Sequence, residues 1–150
     1  MTIKNKNTLL LVGNWNWDIY EEAIARGFSA ADWEVRPFRT NNFLPQGKTL
    51  TQLRRLRTRL TCRNLNNSLL NTIKANRPDM IIFVRCDEIL PETLKTIRTI
   101  SPASFLVSYH NDNPFVGTIR RFAMRHYRAS LALVNLALVY RPSNIRYALA

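Results

Sequence analysis

The segment TLLLVG, residues Thr8–Gly13, is apolar on both of its alternating faces. A strand with that pattern is buried on both sides, as the central strands of parallel sheets are. MIIFVR, residues Met80–Arg85, shows the same pattern farther along the chain. Three more short runs have strand-like composition: Trp33–Phe38, Ser104–Tyr109 and Leu136–Tyr140. We therefore predict five parallel strands joined by crossover connections.

Segments with helical periodicity separate the predicted strands. Asp18 and Glu21 form a candidate capping box for a first helix, which Gly27 ends. A long helical region over residues 49–76 changes its apolar face near Cys62, which predicts a break there. Further helices are predicted to begin at Pro91, around Ile119, Phe122 and Ala123, and at Pro142.

This alternation of strands and helices predicts an α/β fold. The expected architecture is a Rossmann-like open parallel sheet of about five strands with helices on both faces. Right-handed crossovers and the strand order 3-2-1-4-5 are the expected arrangement. A chain of 150 residues can bury a core of its own, so residues 1–150 are assigned to a single domain.

Charge and cysteine content narrow the function classes. Twenty-two basic residues stand against ten acidic ones, and the net charge of +12 favours an anionic partner. Cys62 and Cys86 lack metal-site or redox spacing, so we predict no metal site and a reducing compartment. The sequence shows no secretory signal and no membrane-spanning run. This favours the cytoplasm, with a peripheral position at the inner face of the membrane as an option.

The long helical region carries a cluster of arginines beside its leucines. A surface of this charge suits the head groups of anionic lipids, so an anionic membrane surface is a candidate partner. A simple solvated face is the alternative. The predicted anionic-partner surface comprises Arg54, Arg55, Arg59 and Arg63.

Ligands of open parallel sheets bind beyond the carboxyl ends of the strands, so the loops after the strands are the candidate site. These loops carry amides, carboxylates, a histidine and two indoles, which together suit a polyhydroxylated ligand. The candidate binding residues are Asn14, Trp15, Trp17, Asp87, Asn111, Asn113, Arg141, Ser143 and Asn144. The structural reading is nevertheless the favoured one for three of them: the tryptophans cover the sheet end, and Asp87 is a favourable charge at the N-terminus of the following helix.

Several common sites are excluded by their missing motifs. Gly13 is not followed by the G-x-G-x-x-G series of dinucleotide-binding turns. The sequence contains no P-loop motif and no G-x-S-x-G elbow. Nucleotide binding at the first turn and serine-hydrolase chemistry are therefore not expected.

Four strings carry a family resemblance: TLLLVGNWNWDIYEEAIARGF, NRPDMIIFVR, SYHNDNPF and LALVYRPSNI. Together they resemble the N-terminal domain of the CgeB-like (spore-maturation) family of GT-B glycosyltransferases. The most specific pieces are Asp112-Asn113-Pro114 and residues 140–144. The resemblance implies an acceptor-side, hexosyltransferase-like domain with no resident cofactor. The nucleotide-sugar donor would be bound mainly by a C-terminal GT-B half, which these 150 residues lack.

Under this resemblance, the acceptor is a sugar or a lipid-linked sugar whose hydroxyl loses a proton during transfer. His110 and Asp112 are the candidate catalytic bases on the predicted rim. Because the donor half is missing, the isolated chain is expected to show little or no transfer. Both residues equally suit the capping of the turn and of the helix that follows.

Two other classes compete with the glycosyltransferase hypothesis. A basic nucleic-acid- or anion-binding module without enzymatic activity would explain the charge. The sequence contains no recognisable base-reading motif, so nucleic acid is not an expected partner. A small receiver-like domain working alone would need an acidic pocket after the first strand. That loop here consists of amides and tryptophans instead.

Overall fold

The computed structural model describes residues 6–44, 58–113, 115, 122, 124–142 and 144–145. These residues form a single five-stranded sheet in which every pair of neighbouring strands is parallel. The strands are β1 (Thr8–Gly13), β2 (Glu34–Arg39), β3 (Met80–Val84), β4 (Phe105–His110) and β5 (Leu136–Val139). The predicted fold class, an open parallel α/β sheet of five strands, is confirmed.

The described helices follow the sequence prediction in part. They are α1 (Ala23–Ala30), α2 (Thr58–Thr61), α3 (Arg63–Asn76), α4 (Pro91–Ile100) and α5 (Arg125–Ser130). A π-helical turn, Asp18–Glu22, leads into α1, and 3-10 turns cover Thr40–Phe43 and Leu131–Leu133. The break at Cys62 and the helix start at Pro91 are confirmed. Ile119 and Ala123 lie outside the described residues.

The first helix differs from its predicted limits at both ends. The residue at the N-cap is Trp17 instead of Asp18, and it makes no side-chain capping hydrogen bond, so the capping-box prediction is wrong. The helix also continues past Gly27 to Ala30. It ends where Asp32 adopts a left-handed conformation, with φ of 65°, and the Trp33 N–H bonds to the Phe28 carbonyl. An αL residue ends the helix here, and it is an aspartate instead of the expected glycine.

The strand order is β2-β1-β3-β4-β5, not the predicted 3-2-1-4-5. β3 pairs with β1 on the side opposite β2, which leaves β2 at an edge of the sheet. Pro37 explains this position because it has no N–H for a ladder hydrogen bond and is tolerated at edges. The observed order is the flavodoxin-like one, the second common arrangement of doubly wound sheets.

The crossovers place helices unequally on the two faces of the sheet. Leu10, Val12, Ile81, Phe83 and Leu106 point to the face covered by α3 and α4. Tyr127 of α5 lies on the same side, in a small cavity that it shares with Phe83. The opposite face carries Leu9, Leu11, Ile82, Val84 and Val107, against which Ile24 and Phe28 of α1 pack. Of the helices given above, α3, α4 and α5 therefore lie on one face and α1 lies on the other.

None of the helices given above combines the length and the hydropathy needed to cross a bilayer.

Candidate functional site

The reversal in strand order places a crevice between the carboxyl ends of β1 and β3. Such a topological switch point is where doubly wound sheets bind ligands. The loops after β1, β3, β4 and β5 meet at this side of the sheet, which we call the carboxyl edge. Most of the predicted site residues lie on these loops; Ser143 lies outside the described residues.

The turn after β1 is closed by a carboxylate of the chain itself. Glu21 is 2% exposed, and its Oε1 accepts hydrogen bonds from the backbone N–H groups of Asn14 and Trp15, at 3.0 and 3.2 Å. A Cβ on Gly13 would stand only 2.4 Å from that oxygen. Amides after the first strand bind phosphate in nucleotide-binding folds, and here they bind Glu21.

The predicted binding residues of this turn also have partners within the chain. The Asn14 side chain accepts from the Asn16 N–H, and the Asn14 carbonyl accepts from Asn41. Trp15 adopts a left-handed conformation, and the Arg39 guanidinium lies 4.8 Å from the centre of its ring. Trp17, by contrast, is 57% exposed. Trp15 therefore helps to close the sheet end, whereas Trp17 faces solvent.

His110, the first predicted base, is buried at the end of β4 with only 1% of its surface exposed. Its Nδ1 accepts the backbone N–H of Asp112 at 3.2 Å, which places the ring proton on Nε2. Nε2 lies 3.1 Å from Asp87 Oδ1 and donates to it. The ring also packs against Tyr127, with 4.7 Å between ring centres. Both nitrogens of His110 are therefore engaged within the domain.

Asp112, the second predicted base, pairs with an arginine that sequence reasoning did not single out. Its Oδ2 lies 3.3 Å from the Arg85 guanidinium, and both side chains are partly exposed. Arg85 is in the left-handed conformation, with φ of 52°, and its N–H bonds to the Tyr109 carbonyl. A pair with this exposure adds little stability, but it neutralises the carboxylate that was predicted to act as a base.

The amides after β4 and β5 link the loops to one another. Asn111 donates to the Tyr20 hydroxyl at 2.7 Å, and Asn144 donates to the Asp112 carbonyl at 3.3 Å. The Asn113 side chain accepts from the Phe115 N–H. Three side-chain oxygens here are buried without a hydrogen-bond partner among the described residues: Glu21 Oε2, Asn111 Oδ1 and Asn144 Oδ1. The other polar atom of each of these side chains is hydrogen-bonded. Arg141 is exposed, and its carbonyl accepts the Asn144 N–H at 2.8 Å.

Asn66 is a structural residue of this region that sequence reasoning missed. Its Nδ2 donates to the Cys62 and Glu88 carbonyls, and its Oδ1 accepts from the Leu90 N–H and the Thr93 hydroxyl. It therefore caps α4 from a neighbouring helix, in place of the local side-chain cap that α4 lacks. The residue-type pattern contains no signal for such a long-range cap.

Cys86 lies under the crevice, with its Sγ 3.4 Å from the Val12 and Val84 carbonyls. Burial raises the pKa of its thiol well above the ordinary 9.0, and Glu88, Asp87 and Glu21 add to this. Cys62 is also free and buried. A thiol with a raised pKa is a poor nucleophile at neutral pH, so Cys86 does not suit covalent catalysis.

Cys86 should make the domain sensitive to alkaline pH. Because its pKa is raised on folding, its contribution to stability is complete below 9.0 and is lost as pH rises above that value. We expect Cys86→Ala to lose less stability than the wild type between about pH 8.5 and about pH 10.5. Urea unfolding across this range measures the effect, and parallel pH profiles of the two proteins would contradict it.

The predicted arginine surface falls largely outside the described part of the chain. Arg54 and Arg55 are not among the described residues, and the side chain of Arg59 is not described. Arg63 is exposed at the start of α3. A role for these four residues stays a prediction, as does a catalytic or binding role for the carboxyl-edge residues.

A second candidate surface lies on the face that carries α1. There Ile82, Val107, Leu136 and Leu138 line an apolar groove of about 380 Å³, with Ile24 and Phe28 on the opposite wall. Leu136 and Leu138 are each 44% exposed, and no described helix covers them. We call this side of the sheet, where Phe105, Leu136 and Leu138 are exposed, the open face, although Ile82 and Val107 within it are buried. Sequence reasoning did not predict it.

Two tyrosines connect the open face to the carboxyl edge. Tyr20 and Tyr109 both line the groove, and Tyr20 also holds Asn111. Burial raises the pKa of the Tyr109 phenol, with Tyr20 and Tyr140 adding to the rise and Arg85 opposing it. The groove is therefore apolar along its length and polar only at the end nearest the carboxyl edge.

Comparison with known proteins finds likenesses in structure alone. No protein-family model matches the chain, and no curated protein is detectably similar to it. The chain is similar to RcsB from Salmonella enterica serovar Typhimurium, solved bound to promoter rprA in the presence of the phosphomimetic BeF3-. The identity is 12% and the TM-score 0.48, over 95% of this chain and 65% of RcsB. It is also similar to a CheY-like response regulator from Mesorhizobium loti, at 12% identity and TM-score 0.45, over 96% of each chain.

At this identity the likenesses concern the fold, and the chain spans less than two thirds of the RcsB chain. Both neighbours are response-regulator structures and neither is a GT-B domain. The predicted CgeB-like identity, the glycosyltransferase function and the enzyme class are therefore wrong. The anion-binding alternative gains no support either.

The expected partners are corrected by the same comparison. RcsB was solved bound to promoter rprA. This finding contradicts both the predicted sugar or lipid-linked acceptor and the exclusion of nucleic acid as a partner. The C-terminal GT-B half was implied by the same resemblance and loses its support with it. The anionic membrane surface was expected from the charge of the arginines and stays a prediction.

Proposed function

We propose that this domain is a non-catalytic protein-binding module whose working surface is the open face. The observation that carries the proposal is the exposure of Leu136 and Leu138 beside an apolar groove. Parallel sheets are almost always covered on both faces, because their strands are apolar on both sides. Leu136 and Leu138 on β5, which no described helix covers, are therefore suited to a partner that supplies the missing cover.

The carboxyl edge supports the same proposal because its polar side chains are bonded to other groups of the chain. Glu21 binds the amides of the β1 turn, His110 is held by Asp87 and by a backbone N–H, and Asp112 pairs with Arg85. A receiver-like site would need an acidic pocket after β1, whereas the residues that follow β1 here are asparagines and tryptophans. Among the described residues, no group of three His, Cys, Asp or Glu side chains is placed to hold a metal ion.

We also place the module in the cytoplasm. Cys62 and Cys86 are both free, which suits a compartment that keeps thiols reduced.

A selection from a library of short helical peptides tests the proposed function. We expect the full chain to enrich binders whose affinity falls at least about 10-fold with Leu138→Asp, because a charge would enter the apolar contact. The matched control is Leu60→Asp, since Leu60 is also an exposed leucine and lies on α2. Both variants should unfold within about 1 kcal/mol of the wild type, because both side chains are exposed.

The proposal fails on either of two results. One is a selection that enriches no binder sensitive to Leu138→Asp. The other is a set of binders that depends equally on Leu60 and Leu138, which would indicate nonspecific apolar adhesion.

A further inference from the structure

The turn after β1 has the backbone geometry of a site for an anionic oxygen. Trp15 is in the left-handed conformation, with φ of 57°. The backbone N–H groups of Asn14 and Trp15 point to one oxygen atom, at 3.0 and 3.2 Å. Consecutive N–H groups that converge in this way form a concave surface that binds anions. The turn therefore presents two donors to a single negatively charged oxygen.

A cation stands beside the same turn. Arg39, at the end of β2, is the partner of Gly13 in the strand register. Its guanidinium lies 4.8 Å from the centre of the Trp15 ring, and the residue is exposed. The guanidinium and the two backbone N–H groups all favour a negative charge at this turn.

The oxygen that fills the turn belongs to the chain itself. Glu21 lies on the π-helical turn before α1 and is 2% exposed, and a Cβ on Gly13 would collide with its carboxylate. Glu21 Oε2 is buried and has no hydrogen-bond partner among the described residues. A buried carboxylate oxygen without a partner costs free energy. Glu21 therefore occupies the turn with only one of its two oxygens satisfied.

We infer that the turn after β1 is a carboxylate-binding site that the chain closes with its own Glu21, so that free anions are kept out of the crevice between β1 and β3. Glu21 lies at this crevice, because its charge helps to raise the pKa of the Cys86 thiol under it. A small free carboxylate is the ligand that would take the place of the side chain. The inference concerns the carboxyl edge and does not rest on the protein-binding function proposed for the open face.

Acetate added to Glu21→Ala tests the inference. The substitution removes from the turn the atoms of one acetate ion, so acetate fits the space that it leaves. We expect about 0.1 M acetate to raise the Tm of the full-chain variant by about 4 °C over the same concentration of chloride. The gain should saturate with acetate concentration. In the wild type the two salts should differ by less than about 1 °C, because Glu21 already holds the amides.

Two further variants show whether acetate binds at the turn. Glu22→Ala removes the same charge from the neighbouring residue, which is partly exposed and pairs with Arg26 instead of the turn. Glu21→Gln keeps an oxygen that can accept from both N–H groups, so its turn should stay closed. Acetate should change the Tm of either variant by less than about 1 °C relative to chloride. In Glu21→Ala, acetate should also shift the amide NMR signals of Asn14 and Trp15.

Each remaining outcome decides the matter. If Glu21→Ala is unfolded in chloride, acetate should restore its folded spectrum. Absence of any acetate effect on Glu21→Ala, in either form, would overturn the inference. Equal gains in Glu21→Ala and Glu22→Ala would place the anion elsewhere on this basic chain, and a wild-type gain as large as that of Glu21→Ala would show that Glu21 does not close the site. None of these results bears on binding that depends on Leu138.

Discussion

Gly13→Ala is expected to lower the free energy of unfolding by about 3 kcal/mol, from overpacking and from the loss of a charge-assisted hydrogen bond. The new Cβ would lie 2.4 Å from Glu21 Oε1 and 2.7 Å from its Cγ. Glu21 is buried and bonded to two backbone amides, so it cannot move aside without losing them. Urea unfolding of the variant measures the loss.

Two further variants show whether the clash with Glu21 is the cause. The clash is absent when Gly13→Ala is combined with Glu21→Ala. The double variant should therefore lose about 1–2 kcal/mol less unfolding free energy than the sum of the losses of the two single variants. Gly27→Ala is the matched control, because its Cβ meets nothing within 4 Å and it lies inside α1. It should stabilise the protein by about 0.5–1 kcal/mol. Similar losses at both glycines would contradict this account of the turn.

Asn66→Leu is expected to destabilise the domain by about 3–4 kcal/mol, because buried partners lose their hydrogen bonds. Asn66 is 4% exposed, and its Oδ1 serves both the Leu90 N–H and the Thr93 hydroxyl at the start of α4. Leucine has a similar size but can replace neither bond. The loop that carries Asp87 should loosen with the start of α4, which hydrogen exchange would detect at the amides of Leu90 and Thr93.

The neighbouring Asn67 supplies the control for this prediction. It is an asparagine of the same helix but is exposed. Asn67→Leu should change the free energy of unfolding by less than about 0.5 kcal/mol. If the two asparagines tolerate leucine equally well, Asn66 does not cap α4 in the way its contacts indicate.

The fold class was predictable because it depends on local patterns. Residues Thr8–Gly13 and Pro91 occupy the positions that their composition indicates. Strand order was less accessible, because it depends on pairing between distant segments. Pro37 nevertheless held the necessary information: it marked β2 as an edge strand, and the order 3-2-1-4-5 places that strand in the interior.

The contents of the candidate site were only partly predictable. Parallel strands bring their carboxyl ends together, so the meeting of Asn14, Asp87, His110 and Asp112 at one edge followed from the predicted topology. Glu21 was assigned to a surface capping box because its spacing from Asp18 fits one. Its contact with Gly13 is tertiary and leaves no local signal.

The family resemblance failed for a related reason. The strings that carried it are rich in residues that turns require. Asp112 bonds to His110, the Asn113 side chain accepts from Phe115, and Asn144 donates to the Asp112 carbonyl. These hydrogen bonds stabilise the turns after β4 and β5, and any parallel sheet of this kind can use the same residue types there. The open face escaped prediction because helix periodicity does not reveal which side of a sheet each helix covers.

Methyl NMR of the full chain with a selected helical peptide that depends on Leu138 tests the central claim, that the domain works through its open face. The account predicts that titration shifts the methyl signals of Ile82, Val107, Leu136 and Leu138, which line the groove. Methyls of Leu69, Ile73 and Ile97, buried beneath the helices of the other face, should keep their positions. Shifts confined to residues around the carboxyl edge, with the groove methyls unchanged, would contradict the account.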